Sequence, residues 1–293
     1  MSDFKNRLAG KFGKMKTGLT LQRKSVMLKL VFFLLTTAVP LFSADQFCLR
    51  ELSYGDIITC EGNYEGHIQG MDTDGTNIYW VFASTLVKTD QYGKVSKSVS
   101  ALWHQGDPCW VEGRLYVPHC KGPFNQEIGN AESKNYVHVY DADLNFLREY
   151  HIPDLIYGAG CMAFCEGHFF IAGGLPDKCE ENMVCEYDRE FRLVKKHRIR
   201  LPVKSRMGIQ TIKFAFGSWW LGCYGGPRGE FSVRLDRNFQ PLAVYPYRMS
   251  YGLIPLEKVG NIPTFLLAYP IYDAKTRLNY GIAVALKILP RGL

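Results

Sequence analysis

Histidines and glutamines stand at the starts of short apolar segments, where they could bind a ligand or transfer a proton. His67 and Gln69 begin the segment His-Ile-Gln-Gly, and His104 and Asp107 lie in His-Gln-Gly-Asp-Pro. Gln210 has the same place in a later segment. Imidazole donates, accepts or carries a proton near neutral pH, and a carboxamide both donates and accepts hydrogen bonds. These side chains suit a polar ligand, provided that the fold brings the segments together.

The element that must position them is a unit that recurs five times along the chain. In each copy a glycine turn precedes an apolar strand, and the first apolar residues of these strands are 37 to 54 residues apart: Ile78, Leu115, Phe169, Trp219 and Ile262. A second turn follows in most copies, as in Val-Tyr-Asp at 139–141 and Glu-Tyr-Asp at 186–188. Alternating apolar and polar residues between such turns are typical of short antiparallel strands.

Repeats of this length, each with four short strands, predict an all-β fold, the β-propeller. We expect five four-stranded blades, with six blades as the alternative. The last unit lacks an outer strand of its own, and the spare segment 56–60 would pair with it and close the ring. Through its glycine turns and Tyr-Asp hairpins across residues 56–290, the chain resembles secreted bacterial β-propeller proteins. Because this architecture carries many activities, the resemblance implies no single function.

The first 44 residues differ in composition from the rest. They hold eight basic residues and one acidic residue, so they carry the whole net charge of +7 and residues 45–293 are formally neutral. An apolar run at 30–42 follows the basic region and suits the core of a signal peptide, with Met27 as a possible true start. We therefore expect a secreted, periplasmic or cell-surface protein in which residues 45–293 form a single propeller domain. The alternative is an uncleaved leader that anchors this domain to a membrane.

Charge and cysteine spacing limit the partners and cofactors. A neutral domain lacks the basic surface that a nucleic-acid partner requires. Among the nine cysteines, Cys179 and Cys185 flank a short polar loop and are the best candidates for a disulfide. No zinc-finger spacing occurs, so no motif requires a cofactor. A divalent metal held by His67, His104 and Asp107 is chemically possible.

Counting back from the repeats predicts which residues surround the central axis. The first ring comprises His67, His104, Gly158, Gly208 and Tyr251, and the second ring adds Gln69 and Gln210. We expect these residues to line the mouth of a central funnel, where the glycines leave room for a ligand. Long connections within units two to four would wall the same mouth. The alternative is that polar residues line a wet channel and that the glycines relieve crowding at a narrow axis.

The sequence therefore predicts an exported, monomeric propeller that binds a glycan or another small polar ligand at the funnel mouth. Further ligand-binding candidates near that mouth are His119, Arg206, Tyr224 and Tyr251, and Trp103 is a candidate for stacking on a sugar ring.

An enzyme of polysaccharide breakdown is the first alternative, with His67, His104 and Asp107 as catalytic candidates. In a lyase an imidazole would act as the base, and a cation would neutralise a uronate carboxylate; the candidate cations are Arg206, Arg228 and Lys121. A hydrolase fits less well, because no repeat-equivalent carboxylate accompanies Asp107. A platform for protein contacts at the cell surface is the second alternative.

Overall fold

The computed structural model describes residue 49 and residues 52–126, 134–225, 229–256 and 261–289. These residues form twenty β-strands and contain no helix. Accordingly, the described part of the chain includes no helix with the length and hydropathy needed to cross a membrane. The predicted leader and Arg228 lie outside the described residues.

The strands form five antiparallel sheets of four strands each. Blade one consists of β2 (Ile68–Thr73), β3 (Ile78–Phe82), β4 (Thr85–Thr89) and β5 (Val95–Ser100). Blade two consists of β6 (Cys109–Val111), β7 (Arg114–Cys120), β8 (Asn135–Asp141) and β9 (Phe146–His151). Blade three consists of β10 (Ala159–Cys165), β11 (His168–Gly173), β12 (Asn182–Tyr187) and β13 (Leu193–Ile199).

The last two blades complete the ring. Blade four consists of β14 (Ser205–Ala215), β15 (Ser218–Gly225), β16 (Glu230–Leu235) and β17 (Pro241–Tyr245). Blade five consists of β18 (Leu253–Pro255), β19 (Thr264–Asp273), β20 (Leu278–Lys287) and, as its outer strand, β1 (Ile57–Thr59). β1 pairs with β20 in the register Ile57 to Val284. The predictions of five blades and of closure by the N-terminal strand are confirmed.

The repeated glycine turns are the hairpins between the first two strands of a blade. Glu112 and Gly113 have φ angles of 49° and 80°, and Glu166 and Gly167 have 50° and 87°. Two successive positive φ angles define the turn type whose twist matches that of the flanking strands, and glycine adopts such angles without a steric penalty. Phe216 and Gly217 repeat the pair at 54° and 76°, so this turn chemistry explains the recurring glycine in blades two to four.

The repeated aspartates make the hairpins between the third and fourth strands. In blade three, Oδ1 of Asp188 accepts hydrogen bonds from the backbone N–H groups of Glu190 and Arg192, at 3.0 and 2.9 Å. Equivalent bonds form at Asp90, Asp141 and Asp236. An aspartate side chain that binds the backbone ahead of it is a common stabiliser of turns. The second repeated motif is thus structural.

Candidate functional site

A cleft of about 1210 Å³ opens at the end of the propeller where the inner strands begin. Eight of the predicted site residues line it: His67, Gln69, Trp103, His104, Arg206, Gln210, Tyr224 and Tyr251. Loop residues from the connections after β7 and β15 contribute Phe124, Asn125 and Gly229. The cleft forms here because each inner strand starts at this face and the long connections of blades two and four end at the same face.

His67 and His104 come from adjacent blades and reach the cleft in different ways. The Nε2 atom of His67 lies 3.0 Å from the Gln69 amide nitrogen, and Tyr251 packs against the imidazole edge-on at 5.7 Å between centroids. His104 has a φ of 74° and packs edge-on against Phe124. Burial lowers the pKa of both histidines, and the His104 charge lowers that of His67 further. Both imidazoles are therefore neutral hydrogen-bonding groups at neutral pH.

A row of polar side chains forms the opposite wall. Arg206 on β14 is the cross-strand partner of Tyr224 on β15, and Tyr224 is the partner of Glu230 on β16. Cross-strand partners project from the same face of a sheet. Glu230 accepts a 2.8 Å hydrogen bond at Oε1 from Nε of Arg248, while its Oε2 is buried and has no hydrogen-bond partner among the described residues. Burial raises the pKa of Tyr224, and the adjacent Tyr251 raises it further.

The sequence analysis missed Glu230 and Arg248. Glu230 begins the strand after a long connection, so its place opposite Tyr224 follows only from the hairpin register. Arg248 approaches from the segment between β17 and β18, and its guanidinium lies 5.5 Å from the centroid of the Tyr251 ring. No repeat signal marks either position, because neither residue stands at a glycine turn, an aspartate turn or the start of an inner strand.

Aromatic faces form the rim of the cleft. Trp103 is 57% exposed and Tyr272 is 61% exposed, and both line the cleft. Met207 lies near Arg206 with a φ of 62° and is also exposed. Single exposed aromatic side chains are common, but exposed apolar side chains that gather around a groove can mark a binding site. The rim thus offers apolar planes beside the polar wall.

Asp107 is not part of this site. Its side chain is fully buried beneath the cleft, where Oδ1 accepts a hydrogen bond from the Met71 N–H and Oδ2 lies 3.8 Å from the Lys213 ammonium. Burial raises its pKa to about 8, against the opposing effect of Lys213. Asp107 fits there because Gly70 has no side chain: a Cβ at Gly70 would lie 2.3 Å from the Asp107 Cα.

The structure therefore does not bring Asp107 together with His67 and His104, the three residues suggested as catalytic candidates and as ligands of a divalent metal. The carboxylate that was expected to join the two imidazoles is paired with Lys213 instead. In the described residues no group of three or more His, Cys, Asp or Glu side chains is placed to hold a metal ion.

His119 is also absent from the cleft. Strand β7 extends through Cys120, so His119 lies inside blade two and not in the loop that follows. Its Nδ1 is 3.0 Å from the Gln105 amide nitrogen, and its ring packs 4.7 Å from that of His138. Burial lowers the pKa of His119 to about 4, and the His138 charge contributes. The prediction that His119 binds ligand is not supported by its position.

The close contacts of the inner-ring glycines match the alternative given for them, relief of crowding at a narrow axis, and not room for a ligand. A Cβ at Gly158 would lie 2.1 Å from the Phe124 ring, and one at Gly208 would lie 2.0 Å from the Gly173 carbonyl oxygen. These glycines admit neighbouring groups and leave no space for a ligand. In blade five the equivalent residue is Gly252, since its neighbour Leu253 pairs with Leu267. Tyr251 precedes this position but still lines the cleft.

The predicted disulfide between Cys179 and Cys185 is not formed. The Cys179 thiol lies 3.6 Å from the Tyr157 hydroxyl, whereas the Cys185 thiol points to the Asp154 carbonyl in the core between blades two and three. The two cysteines bracket a short loop, but strand β12 turns Cys185 into the core. All eight described cysteines are free thiols.

No protein-family model matches this sequence, and no curated protein is significantly similar to it. Solved structures are similar in fold. The glutaminyl cyclase of Myxococcus xanthus shares 10% sequence identity over 80% of this chain and 100% of its own, with a TM-score of 0.49. A Bacteroides caccae protein of unknown function shares 8% identity over 80% of this chain and 94% of its own, with a TM-score of 0.47.

BamB from Moraxella catarrhalis is a third similar structure. It shares 8% sequence identity over 80% of this chain and 61% of its own, with a TM-score of 0.36. Identities this low carry no information about activity, and the similarity extends to bacterial β-propeller proteins of different function. The five four-stranded sheets of the described residues define a five-bladed propeller, and its function must be inferred from its own cleft.

Proposed function

We propose that this protein binds a polar ligand, and a glycan in particular, in the cleft at the mouth of the propeller. The observation that carries the proposal is that exposed aromatic rings and side chains with free hydrogen-bonding capacity share one cavity of about 1210 Å³. Sugars present both kinds of surface, because their C–H faces stack on aromatic rings and their hydroxyls bond with polar side chains. Concave sites with a few convergent polar groups commonly bind ligands.

The side chains of the cleft retain free hydrogen-bonding capacity. The Gln69 amide nitrogen is hydrogen-bonded to Nε2 of His67. Gln210 donates its amide N–H to the Met207 carbonyl at 2.9 Å. These bonds fix the two carboxamides and leave their oxygens as acceptors for hydroxyl groups. Trp103 and Tyr272 supply the planes on which a sugar ring would stack. Fixed polar groups beside exposed rings favour a glycan over a flat protein partner.

We include export in this proposal on the strength of the basic and apolar leader in residues 1–44. An exported protein would be in contact with extracellular polysaccharides. The formal charge of residues 45–293 is zero, so their composition does not favour a nucleic acid as the partner. We also propose that the domain acts as a monomer, since the cleft is built from the described residues of one chain.

The test is calorimetric titration of the purified protein with a panel of neutral and acidic oligosaccharides. We expect binding to at least one of them, and we expect loss of that binding in His67→Ala combined with His104→Asn. Asparagine is chosen because it tolerates the left-handed backbone at residue 104. The control is His151→Ala, an exposed site on β9 outside the cleft. Thermal denaturation should be nearly unchanged in all of these variants.

The same incubations separate binding from catalysis. New ultraviolet absorbance from an unsaturated product would indicate a lyase, and new reducing ends without it would indicate a hydrolase. Binding without either would indicate a lectin. If none of the oligosaccharides binds, or if the double variant binds them as well as the wild type does, the proposal is wrong.

A further inference from the structure

We propose that the cleft selects acidic glycans: Arg206 binds the carboxylate of a uronic acid residue and Glu230 accepts a hydrogen bond from a sugar hydroxyl. This inference rests on the proposed glycan-binding function and specifies its ligand class. It depends on the row of side chains that crosses blade four, on their ion pairing and on one buried oxygen that has no hydrogen-bond partner among the described residues.

The row is fixed by strand register. Arg206, Tyr224 and Glu230 are successive cross-strand partners on β14, β15 and β16, and all three line the cleft. Neighbouring strands are about 4.8 Å apart, so the backbones of Arg206 and Glu230 are separated by about 10 Å. Two long side chains that converge from this distance span roughly one or two sugar rings. Tyr224 lies between them and limits how closely they approach.

Ion pairing in the row leaves one positive charge in excess. Glu230 is paired with Arg248, whose Nε and Nη2 atoms both lie 2.8 Å from Oε1. Arg206 is exposed and has no carboxylate within ion-pair distance among the described residues. A guanidinium binds a carboxylate through two parallel hydrogen bonds, a geometry that few other groups match. An anionic ligand group would therefore pair with Arg206.

The second anchor is the free oxygen of Glu230. Its Oε2 is buried and accepts no hydrogen bond from the described residues, although Glu230 lines the cleft. Buried carboxylate oxygens without partners are rare, because an unmade hydrogen bond to a charged group is costly. Arg248 holds the other oxygen, so the free one is fixed in place. A sugar hydroxyl is a donor of suitable size and charge.

A ligand hydroxyl should bind at Glu230 in preference to a ligand carboxylate. The carboxylate repels another anion and accepts an O–H donor, whereas Arg206 has the opposite preference. A uronic acid carries both groups on one ring. Neutral sugars would satisfy Glu230 and leave Arg206 without its partner.

The experiment compares matched acidic and neutral trisaccharides by calorimetric titration. The pairs are trigalacturonate with galactotriose, triglucuronate with cellotriose, and trimannuronate with mannotriose. We expect one acidic member to bind about tenfold or more tightly than its neutral partner, as charge-assisted hydrogen bonds predict. Methyl esterification of that acidic sugar, which removes its charge, should abolish the difference. Added salt should weaken binding of the acidic sugar alone.

Two variants assign the two anchors. Arg206→Gln should remove the preference for the acidic sugar and leave neutral binding unchanged. Glu230→Gln should weaken binding of the neutral member, because a carboxamide accepts a hydrogen bond less strongly than a carboxylate. The acidic member would also meet the Arg248 charge, which this variant leaves without its carboxylate. The control is Arg148→Gln, an exposed arginine on the outer strand β9. Thermal denaturation of each variant checks that the fold is retained.

The outcomes separate this inference from the proposed function. Equal binding of acidic and neutral sugars, or an unchanged preference in Arg206→Gln, overturns the inference and leaves the glycan-binding proposal intact. Unchanged affinity in Glu230→Gln removes the role of Glu230. Failure of every trisaccharide to bind overturns both proposals.

Discussion

The Lys213 ammonium on blade four lies 3.0 Å from Oδ2 of Asp72 on blade one, across the axis of the propeller. The same ammonium donates to the Pro108 carbonyl and lies 3.8 Å from Oδ2 of Asp107, both in blade two. Burial by itself would lower the pKa of Lys213, but the carboxylates of Asp107 and Asp72 have the larger combined effect and raise it. These contacts join three of the five blades at the axis.

We predict that Lys213→Met destabilises the domain by about 3–5 kcal/mol, because two buried carboxylates lose their counter-ion. Urea denaturation measures this loss. Adding Asp107→Asn to Lys213→Met should recover part of it by removing one unpaired charge. The control is Lys195→Met, an exposed lysine on β13. A loss below about 1 kcal/mol in Lys213→Met would show that the ion pair contributes little.

We predict that acid weakens the domain through His119. The pKa of His119 is lowered to about 4 in the folded protein, against about 6.5 in an unfolded chain. Between these values the unfolded chain binds the extra proton, so the free energy of unfolding falls as the pH falls from about 6.5 to 4. His119 alone would account for about 3 kcal/mol over this window and for nothing above it.

Chemical denaturation at a series of pH values measures this effect. His119→Gln should flatten the decline between pH 6.5 and 4, whereas His151→Gln, on the exposed outer strand, should not. The neighbouring His138, Lys121 and His104 side chains remain in the variant and set the residual slope. Identical slopes in the wild type and His119→Gln would contradict the prediction.

We predict that Gly158→Ala is more damaging than a glycine substitution at a turn. Gly158 has a φ of 108° and a Cβ there would overlap the Phe124 ring, whereas Gly113 has a φ of 80° with open space around it. Both variants incur backbone strain of about 1–3 kcal/mol, and only Gly158→Ala adds a clash. Thermal denaturation compares them. In a Phe124→Ala background the excess loss at Gly158 should disappear, and an equal loss at both glycines would refute this account.

We predict that both Cys179 and Cys185 are thiols in the purified protein. Unfolding in guanidinium chloride without reductant, alkylation with iodoacetamide and peptide mass spectrometry should find both residues modified. The buried Cys185 should react only after unfolding, since burial raises its pKa to about 12 and the thiolate is the reactive form. A peptide that links the two cysteines would show that the loop can rearrange to form the disulfide.

The sequence by itself determined the architecture, because turn chemistry is local. Glu112-Gly113 and Asp188 specify their hairpins through bonds within a few residues, so their recurrence revealed the blades and the closing strand. It also located His67 and Gln69 at the cleft, since the start of an inner strand fixes which face of a propeller a residue occupies. These predictions needed only residue spacing.

Only the tertiary structure decided which of the polar residues face the ligand. Asp107 points inward because Gly70 of another blade makes room and Lys213 supplies its counter-ion. His119 is buried because β7 runs further than the pattern indicated. Glu230 and Arg248 meet at the cleft from segments separated by a whole strand. Such contacts depend on packing between strands and blades, and no local spacing in the chain records which side chains will be paired there.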